Sequence, residues 1–335
     1  MAQLDRPKQT VLVIGGAGFI GSQTCKALAA AGFLPVTVDD LSGGHEWAVK
    51  WGPLERCDIR DHAALDRVFR LHRPTAVLHF AGLIAVGESM ERPGRYYDSN
   101  VGGTLALLEA MRDAGCGRLV FSSSAAVYGV PEATPIPETH SLRPINPYGR
   151  TKAIAEGMAA DFAAAHGLAS AALRYFNAAG ADPDGELGEA HDPETHLIPL
   201  ALEAAAGLRP ALSLFGEDFP TRDGTCVRDY VHVADLADAH VLALKALVDG
   251  KQGADAYNLG NGAGFTVREV IDAVETVTGA KLPVRTAPRR PGDPAILLAD
   301  AKRAGSELGW RPRFASLHTQ VLHAWSWQMK RTMGR

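Results

Sequence analysis

Thr10-Val11-Leu12-Val13-Ile14 runs directly into Gly15-Gly16-Ala17-Gly18-Phe19-Ile20-Gly21, and this stretch decides the fold. The first five residues are β-branched or apolar and read as a buried strand. The glycines allow a sharp turn, and the apolar spacing from Ile20 to Ala31 predicts a helix. Pro35–Asp39 reads as the next strand. Strand, glycine turn, helix and strand form the unit that seats a dinucleotide: glycines let the backbone approach a pyrophosphate, whose charge the helix N-terminus favours. Asp39 ends the second strand, 18 positions beyond Gly21. A carboxylate there accepts from a ribose 2′-OH and repels a 2′-phosphate, which selects NAD over NADP. Asp40 stands next to it, and the sequence does not separate the two.

The same rhythm continues outward. Short strands are predicted at Leu54–Cys57, Ala76–Phe80, Arg118–Ser122 and Ala169–Tyr175, with helices over Asp61–Leu71, Pro93–Ala114 and Pro147–His166. Alternating strands and helices mean a parallel sheet covered on both faces. The expected fold is α/β: a Rossmann-type doubly wound parallel sheet, residues 1–176, with a smaller mixed α/β substrate-binding lobe, residues 177–335. Some segments of the second lobe return to the first. Ala178–Thr195 is rich in Gly, Asp, Glu and Pro and reads as a long ordered loop, followed by two helices and several short strands. Ligands collect at the carboxyl ends of parallel strands, where Cys57-Asp58-Ile59 and Phe80-Ala81-Gly82 lie. Asp58 is placed to accept from an adenine amino group, and Ala81 and Gly82 are small enough for a cofactor to lie flat.

Composition bounds the function. The chain has 335 residues, 46% hydrophobic and 21% charged, with a formal net charge of -4. That balance gives no electrostatic case for nucleic acid or an acidic membrane surface. Cys25, Cys57, Cys116 and Cys226 are widely spaced and form no CxxC, so four reduced thiols in a cytoplasmic protein are expected. The polar Met1–Gln9 is no signal peptide, and no apolar run is long enough to span a bilayer.

The chemistry is carried by Tyr148-Gly149-Arg150-Thr151-Lys152 and by Ser122-Ser123-Ser124. Residues four apart on a helix share a face, so Tyr148 and Lys152 point together. A phenol is a poor base at neutral pH. A neighbouring ammonium favours the phenolate and is expected to lower its pKa, making the pair an acid/base for a hydroxyl or carbonyl. Ser124 is placed to hydrogen-bond a substrate oxygen beside Tyr148.

With these motifs on the page, the chain resembles the extended short-chain dehydrogenases/reductases, and within them the UDP-glucose 4-epimerases. The resemblance spans most of the chain. It rests on Gly15–Gly21, Asp58-Ile59, His79–Leu83, Val86–Ser89, Tyr96-Tyr97-Asp98 with Asn100, Ser122–Gly129, Asn146–Gly149 with Lys152, and Arg174–Asn177. In the second lobe it rests on Phe215-Gly216, Asp223–Thr225, Val227–Tyr230, Arg290 and Gly292-Asp293. The Val-Arg-Asp-Tyr and Gly-Glu-Ser segments are more specific than the glycine turn.

The resemblance implies Ser124, Tyr148 and Lys152 as the catalytic set. It implies NAD held by Gly15, Gly18, Phe19, Ile20, Gly21, Asp39, Asp58, Ile59, Phe80, Ala81, Gly82, Asn100, Ser122, Tyr148, Lys152 and Tyr175. It assigns the UDP-sugar to Ser124, Tyr148, Asn177, His196, Leu197, Phe215, Arg228, Tyr230, Arg290, Asp293 and Leu297. Asn177, Arg228 and Arg290 would meet the diphosphate, Asp293 the uridine ribose and Phe215 the uracil. It also implies a homodimer built on the helices near 93–114 and 147–166, with Ala159, Ala160, Ala163 and Ala164 permitting close packing.

Three positions depart from some members. Ile84 replaces a lysine near the cofactor, His196 replaces an asparagine near the diphosphate, and Leu297 stands where others carry a large aromatic or a small residue beside sugar C2. Acceptance of UDP-N-acetylhexosamines or UDP-pentoses therefore stays open. Ala125 and Ala126 occupy the places where nucleotide-sugar 4,6-dehydratases carry an Asp-Glu pair, which argues against that lyase. A non-catalytic NAD-binding regulator usually lacks the Tyr or the Lys. His191 and His196 have no familiar metal-ligand spacing, so no metal is expected.

Overall fold

A computed structural model describes residues 8–290 and 293–333. Gly292 and most of the polar N-terminal stretch lie outside the described residues. The central sheet contains seven parallel strands in the order β11-β6-β5-β4-β1-β2-β3. They are β1 (Thr10–Ile14), β2 (Leu34–Asp39), β3 (Leu54–Arg56), β4 (Ala76–His79), β5 (Arg118–Ser124), β6 (Ala169–Tyr175) and β11 (Ala254–Leu259). Val11, Leu12 and Val13 are wholly buried, as expected of a strand covered on both faces. The order reverses between β1 and β4, which creates the crevice where such sheets bind ligands.

Helices cover both faces. On one side α1 (Phe19–Ala30) packs beside α8 (Val233–Val248) over a core that includes Leu28, Leu173, Leu236 and Tyr257. On the other, α2 (His62–His72), α5 (Gly103–Asp113) and α6 (Pro147–His166) enclose Leu12, Leu65, Leu107 and Met111. The continuous helix expected over Pro93–Ala114 is interrupted. Behind a short α3 (Val86–Glu91), α4 (Pro93–Tyr96) passes into a π-helical stretch, Tyr97–Gly102, before α5 begins. Such widened turns often mark functional sites, and this one carries Asn100.

The second lobe is smaller and mixed. It is built on β7 (Asn177–Ala179) with β10 (Tyr230–His232), on β8 (Leu212–Phe215) with β13 (Val284–Ala287), and on β9 (Val227–Arg228) between β12 (Phe265–Thr266) and β14 (Ile296–Leu297). Its helices are α7 (Leu197–Ala205), α9 (Val267–Thr278) and α11 (Leu317–Met333), while α10 (Lys302–Glu307) lies against β11. More helices follow residue 177 than the two expected. Ala178–Thr195 is largely irregular past β7, pinned by one bridge between Ala181 and Gly188. Among the described residues no helix is long and apolar enough to cross a membrane. All four cysteines are unpaired and buried.

Candidate active site

Gly15 stands at φ +80°, and a Cβ there would lie 2.5 Å from the Ala81 nitrogen, so the turn is closed against the end of β4. A Cβ on Gly21 would meet the Gly15 carbonyl oxygen at 2.2 Å, which makes this glycine the seat of helix against turn. Gly18 differs: its Cβ would meet only the Gly15 oxygen, at 3.4 Å. Packing within the chain does not require a glycine there. Helix α1 begins at Phe19 and Ile20 with no side-chain cap and no acidic residue in its first turn, leaving its N-terminal amides and dipole for an anion.

The geometry separates the two aspartates. Asp39 accepts from the amides of Ala17 (3.0 Å) and Leu41 (2.9 Å) and faces the glycine turn. Burial raises its pKa, against those two hydrogen bonds. Asp40 is exposed and caps Ser42. Asp58 is fastened to Arg60, whose guanidinium holds its carboxyl below the ordinary range. Ile59 packs under Gly103. Asn100 holds Leu83 through both backbone groups, accepting at 2.8 Å and donating at 3.0 Å, and donates to Thr151 Oγ1 at 3.1 Å. Its side chain therefore braces the loop beyond Gly82 against α6.

Helix α6 starts cleanly. Asn146 accepts from the Gly149 amide at 2.8 Å, and Pro147 occupies the first turn. That start places Tyr148 and Lys152 above the carboxyl end of β5. The Lys152 ammonium donates to the Ser122 carbonyl at 2.8 Å and lies 4.9 Å from the Phe121 ring centre and 6.0 Å from that of Tyr148. Burial pushes Lys152 down to about 8, opposed by Glu156. Tyr148 does not show the lowered pKa expected from its sequence neighbour. Burial raises it, and only a hydrogen bond with Ser124 pulls it back. The ammonium is itself desolvated and turned toward the Ser122 carbonyl, which accounts for the difference. Ser124 also accepts from the Ala126 amide at 3.1 Å, and Ser122 shares a short hydrogen bond with the Tyr175 hydroxyl.

Of the residues assigned to the second ligand in the smaller lobe, Leu297 is the one that packs beside this segment; the others contact one another or their own lobe. Leu297 packs with Ala125, Val127 and Tyr128, directly after Ser124, and pairs in register with Arg228. Arg228 forms an ion pair with Asp293. Tyr230 pairs with Asn177 across β10 and β7, and the Asn177 amide donates to the Asp229 carbonyl at 3.0 Å. Arg290 covers the Phe215 ring at 4.1 Å. His196 stands at the N-terminal boundary of α7, ahead of Leu197, without capping it by its side chain, and bonds Glu189, which raises its pKa against the effect of burial.

Two supports escaped the sequence reading. Glu156, one turn beyond Lys152, is buried against Arg174 and bonds Ser123. The Lys152-x-x-x-Glu156 spacing was a signal for it. Asp229 is wholly buried and accepts from the amides of Asn261 (2.7 Å), Gly262 (3.2 Å) and Ala299 (3.2 Å). It fixes the loops on either side of Arg228.

A profile of the NAD dependent epimerase/dehydratase family matches residues 11–260. The chain belongs to this family. Among relatives, a UDP-glucose 4-epimerase of Rhizobium meliloti (strain 1021) is 52% identical over 324 residues, covering 97% of this chain and 98% of that one. The crystal structure of the Brucella ovis UDP-glucose 4-epimerase in complex with NAD is 52% identical, with a TM-score of 0.93 over 95% of this chain and 97% of that one. That of the Bifidobacterium longum enzyme in complex with NAD+ and UDP is 39% identical, with a TM-score of 0.92 over 98% and 100%.

Proposed function

We infer that this protein is an NAD-dependent UDP-glucose 4-epimerase that interconverts UDP-glucose and UDP-galactose. The observation that carries the reading is the Lys152 ammonium bonded to the Ser122 carbonyl at 2.8 Å, which sets the helix bearing Tyr148 against the strand bearing Ser124, in a chain about half identical to named epimerases over nearly its whole length.

The glycine turn, the amides of Phe19 and Ile20, and Asp39 would hold NAD, with Phe80, Ala81, Gly82, Ser122 and Tyr175 along its length. Bound NAD supplies a reversible hydride acceptor, so that sugar C4 is oxidised and then reduced within one turnover. Tyr148 exchanges the O4 proton. Ser124 shares that hydrogen bond and keeps O4 beside the phenol. Lys152 places positive charge under the site, and Glu156 opposes its loss of charge on burial.

The sugar must turn over between the two half-reactions, so the nucleotide has to carry the binding. Arg228 and Arg290 are suited to the diphosphate, since guanidinium groups bind phosphate in a bidentate manner. Asn177, His196 and Leu197 line its approach, Asp293 and Phe215 serve the uridine, and Tyr230 closes the floor. Asp58, Ile59 and Asn100 support the adenine and nicotinamide ends mainly through packing and loop position. The ligand is a small nucleotide sugar and not a nucleic acid. Exposed Leu105 on α5 and Ile154 on α6 favour a homodimer through these helices. Four unpaired buried thiols suit a cytoplasmic enzyme.

Tyr148→Phe tests the assignment of the base. The variant is expected to fold and to bind NAD, while converting UDP-galactose at least a hundredfold more slowly. Turnover within about tenfold of wild type, about 1.4 kcal/mol of barrier, would remove Tyr148 from the chemistry.

A further inference from the structure

The loop between β7 and α7 brings together four side chains that are not close in any recognised sequence spacing. One ligand atom each of Glu189, His191, Glu194 and His196 lies within 4.8 Å of all the others. His191 Nδ1 stands 2.9 Å from Glu189 Oε1 and 3.9 Å from Glu194 Oε1, while His196 Nδ1 stands 3.6 Å from Glu194 Oε1 and shares a short hydrogen bond with Glu189 Oε1 that an ion would have to replace. A tetrahedron with zinc-like bonds of about 2.0–2.1 Å has edges of about 3.3 Å. The observed spacings bracket that edge, so small movements would complete the polyhedron.

Three further observations point to a bound ion. His191 Nδ1 is fully buried and makes no hydrogen bond, despite its nearness to Glu189. An orphaned imidazole nitrogen aimed into a ring of ligand atoms is costly unless something accepts its lone pair. The loop is also anchored, at the Glu194 carboxylate and at the Glu189 backbone, so the four side chains are held in place. Glu194 Oε1 accepts from the amides of Thr195 (2.7 Å) and His196 (2.8 Å), and the Glu189 carbonyl accepts from Trp327 Nε1 and Arg331 Nη1, both at 3.0 Å. Lastly, a cavity of about 200 Å³ lined by Glu189, His191, Glu194, Trp327 and Gln328 gives an ion a way in.

The neighbouring acidic group is a useful contrast. Asp182, Asp184 and Glu186 also converge, but the Lys26 ammonium already fills their centre at 2.8, 2.6 and 2.8 Å. Among the described residues no lysine or arginine pairs with the Glu189 or Glu194 carboxylate, whose ion pairs are with the two imidazoles alone.

We propose that Glu189, His191, Glu194 and His196 form a four-coordinate site for a divalent cation of the zinc class. Two imidazole nitrogens and two carboxylate oxygens suit a borderline cation better than magnesium or calcium, which prefer oxygen alone. Two neutral imidazoles, two carboxylates and M2+ sum to zero charge, and binding releases whatever protons the imidazoles carried. The site is structural. It clips the loop between Phe19 of the glycine turn, which meets His191 edge-on at 6.5 Å, and the first residue of α7.

Full-length protein freed of metal with a chelator and titrated with cobalt(II) chloride is expected to take up one equivalent. The complex should show the intense visible absorption of four-coordinate cobalt, and zinc chloride should abolish it. By calorimetry, His191→Ala and Glu194→Gln should each weaken zinc binding at least tenfold, and zinc should raise the unfolding midpoint of the wild type but of neither variant. Absence of saturable one-equivalent binding by the wild type, or variants that bind zinc as the wild type does, would overturn the proposal.

Discussion

The Lys152 ammonium and the Tyr148 ring share one face of α6, with 6.0 Å between Nζ and the ring centre. The ammonium is bonded to the Ser122 carbonyl at the end of β5. One cation therefore ties the helix that carries Tyr148 to the strand that carries Ser124. Burial is what makes this arrangement costly.

That cost has a definite pH dependence. Lys152 is pulled from 10.5 down to about 8, so the folded protein releases this proton more easily than the unfolded chain does. Below pH 8 the buried charge opposes folding by about 3 kcal/mol. The opposition fades as pH rises from 8 toward 10.5, where the unfolded chain still binds the proton. Lys152→Met is therefore expected to be inactive but more stable than wild type at pH 7, with the difference shrinking at pH 9.5. Urea unfolding at the two pH values checks this. A variant less stable at pH 7, or a gap that widens with pH, would contradict it.

Gly15 and Gly18 should respond differently to the same substitution. Gly15→Ala places a Cβ against the Ala81 backbone at positive φ and is expected to lower stability by several kcal/mol. Gly18→Ala meets only ordinary contact within the chain. It is expected to keep the wild-type unfolding midpoint within about 2 °C while losing at least tenfold in NAD affinity. Thermal unfolding paired with calorimetric NAD binding separates the two, and equal losses of stability would refute the distinction.

Leu297 sits on the cluster formed by Ala125, Val127 and Tyr128, immediately beyond Ser124. Trimming it should enlarge the space beside the sugar. Leu297→Ala is expected to raise kcat/KM for UDP-N-acetylgalactosamine relative to UDP-galactose by roughly tenfold or more, within the range a few methylenes contribute in an apolar pocket. An unchanged ratio would remove Leu297 from the sugar pocket.

Local features were legible in the sequence because they need only near neighbours. The β-branched run into Gly15–Gly21 specifies strand, turn and helix within a dozen residues, and Tyr148 with Lys152 follows from helical spacing alone. The π-helical interruption at Tyr97–Gly102 was not legible, because it depends on Asn100 reaching both Leu83 and Thr151. Strand β11 joins β6 from more than 80 residues away, and nothing in its own pattern says which sheet edge it completes. The tuning of Tyr148 is not legible for the same reason: spacing places Lys152 nearby but does not reveal that its ammonium turns to Ser122. Glu189 and Glu194 read as loop acids until the fold closes them around His191 and His196.

The central claim is that C4 of the sugar loses hydride and regains the same hydride within one turnover. UDP-galactose carrying deuterium at C4, incubated with the purified protein, no added cofactor and unlabelled NADH in the medium, tests it most directly by NMR of the product. UDP-glucose that retains the deuterium at C4, undiluted, is the predicted result. Loss of the label to solvent or to the NADH pool, or no conversion at all, would contradict it.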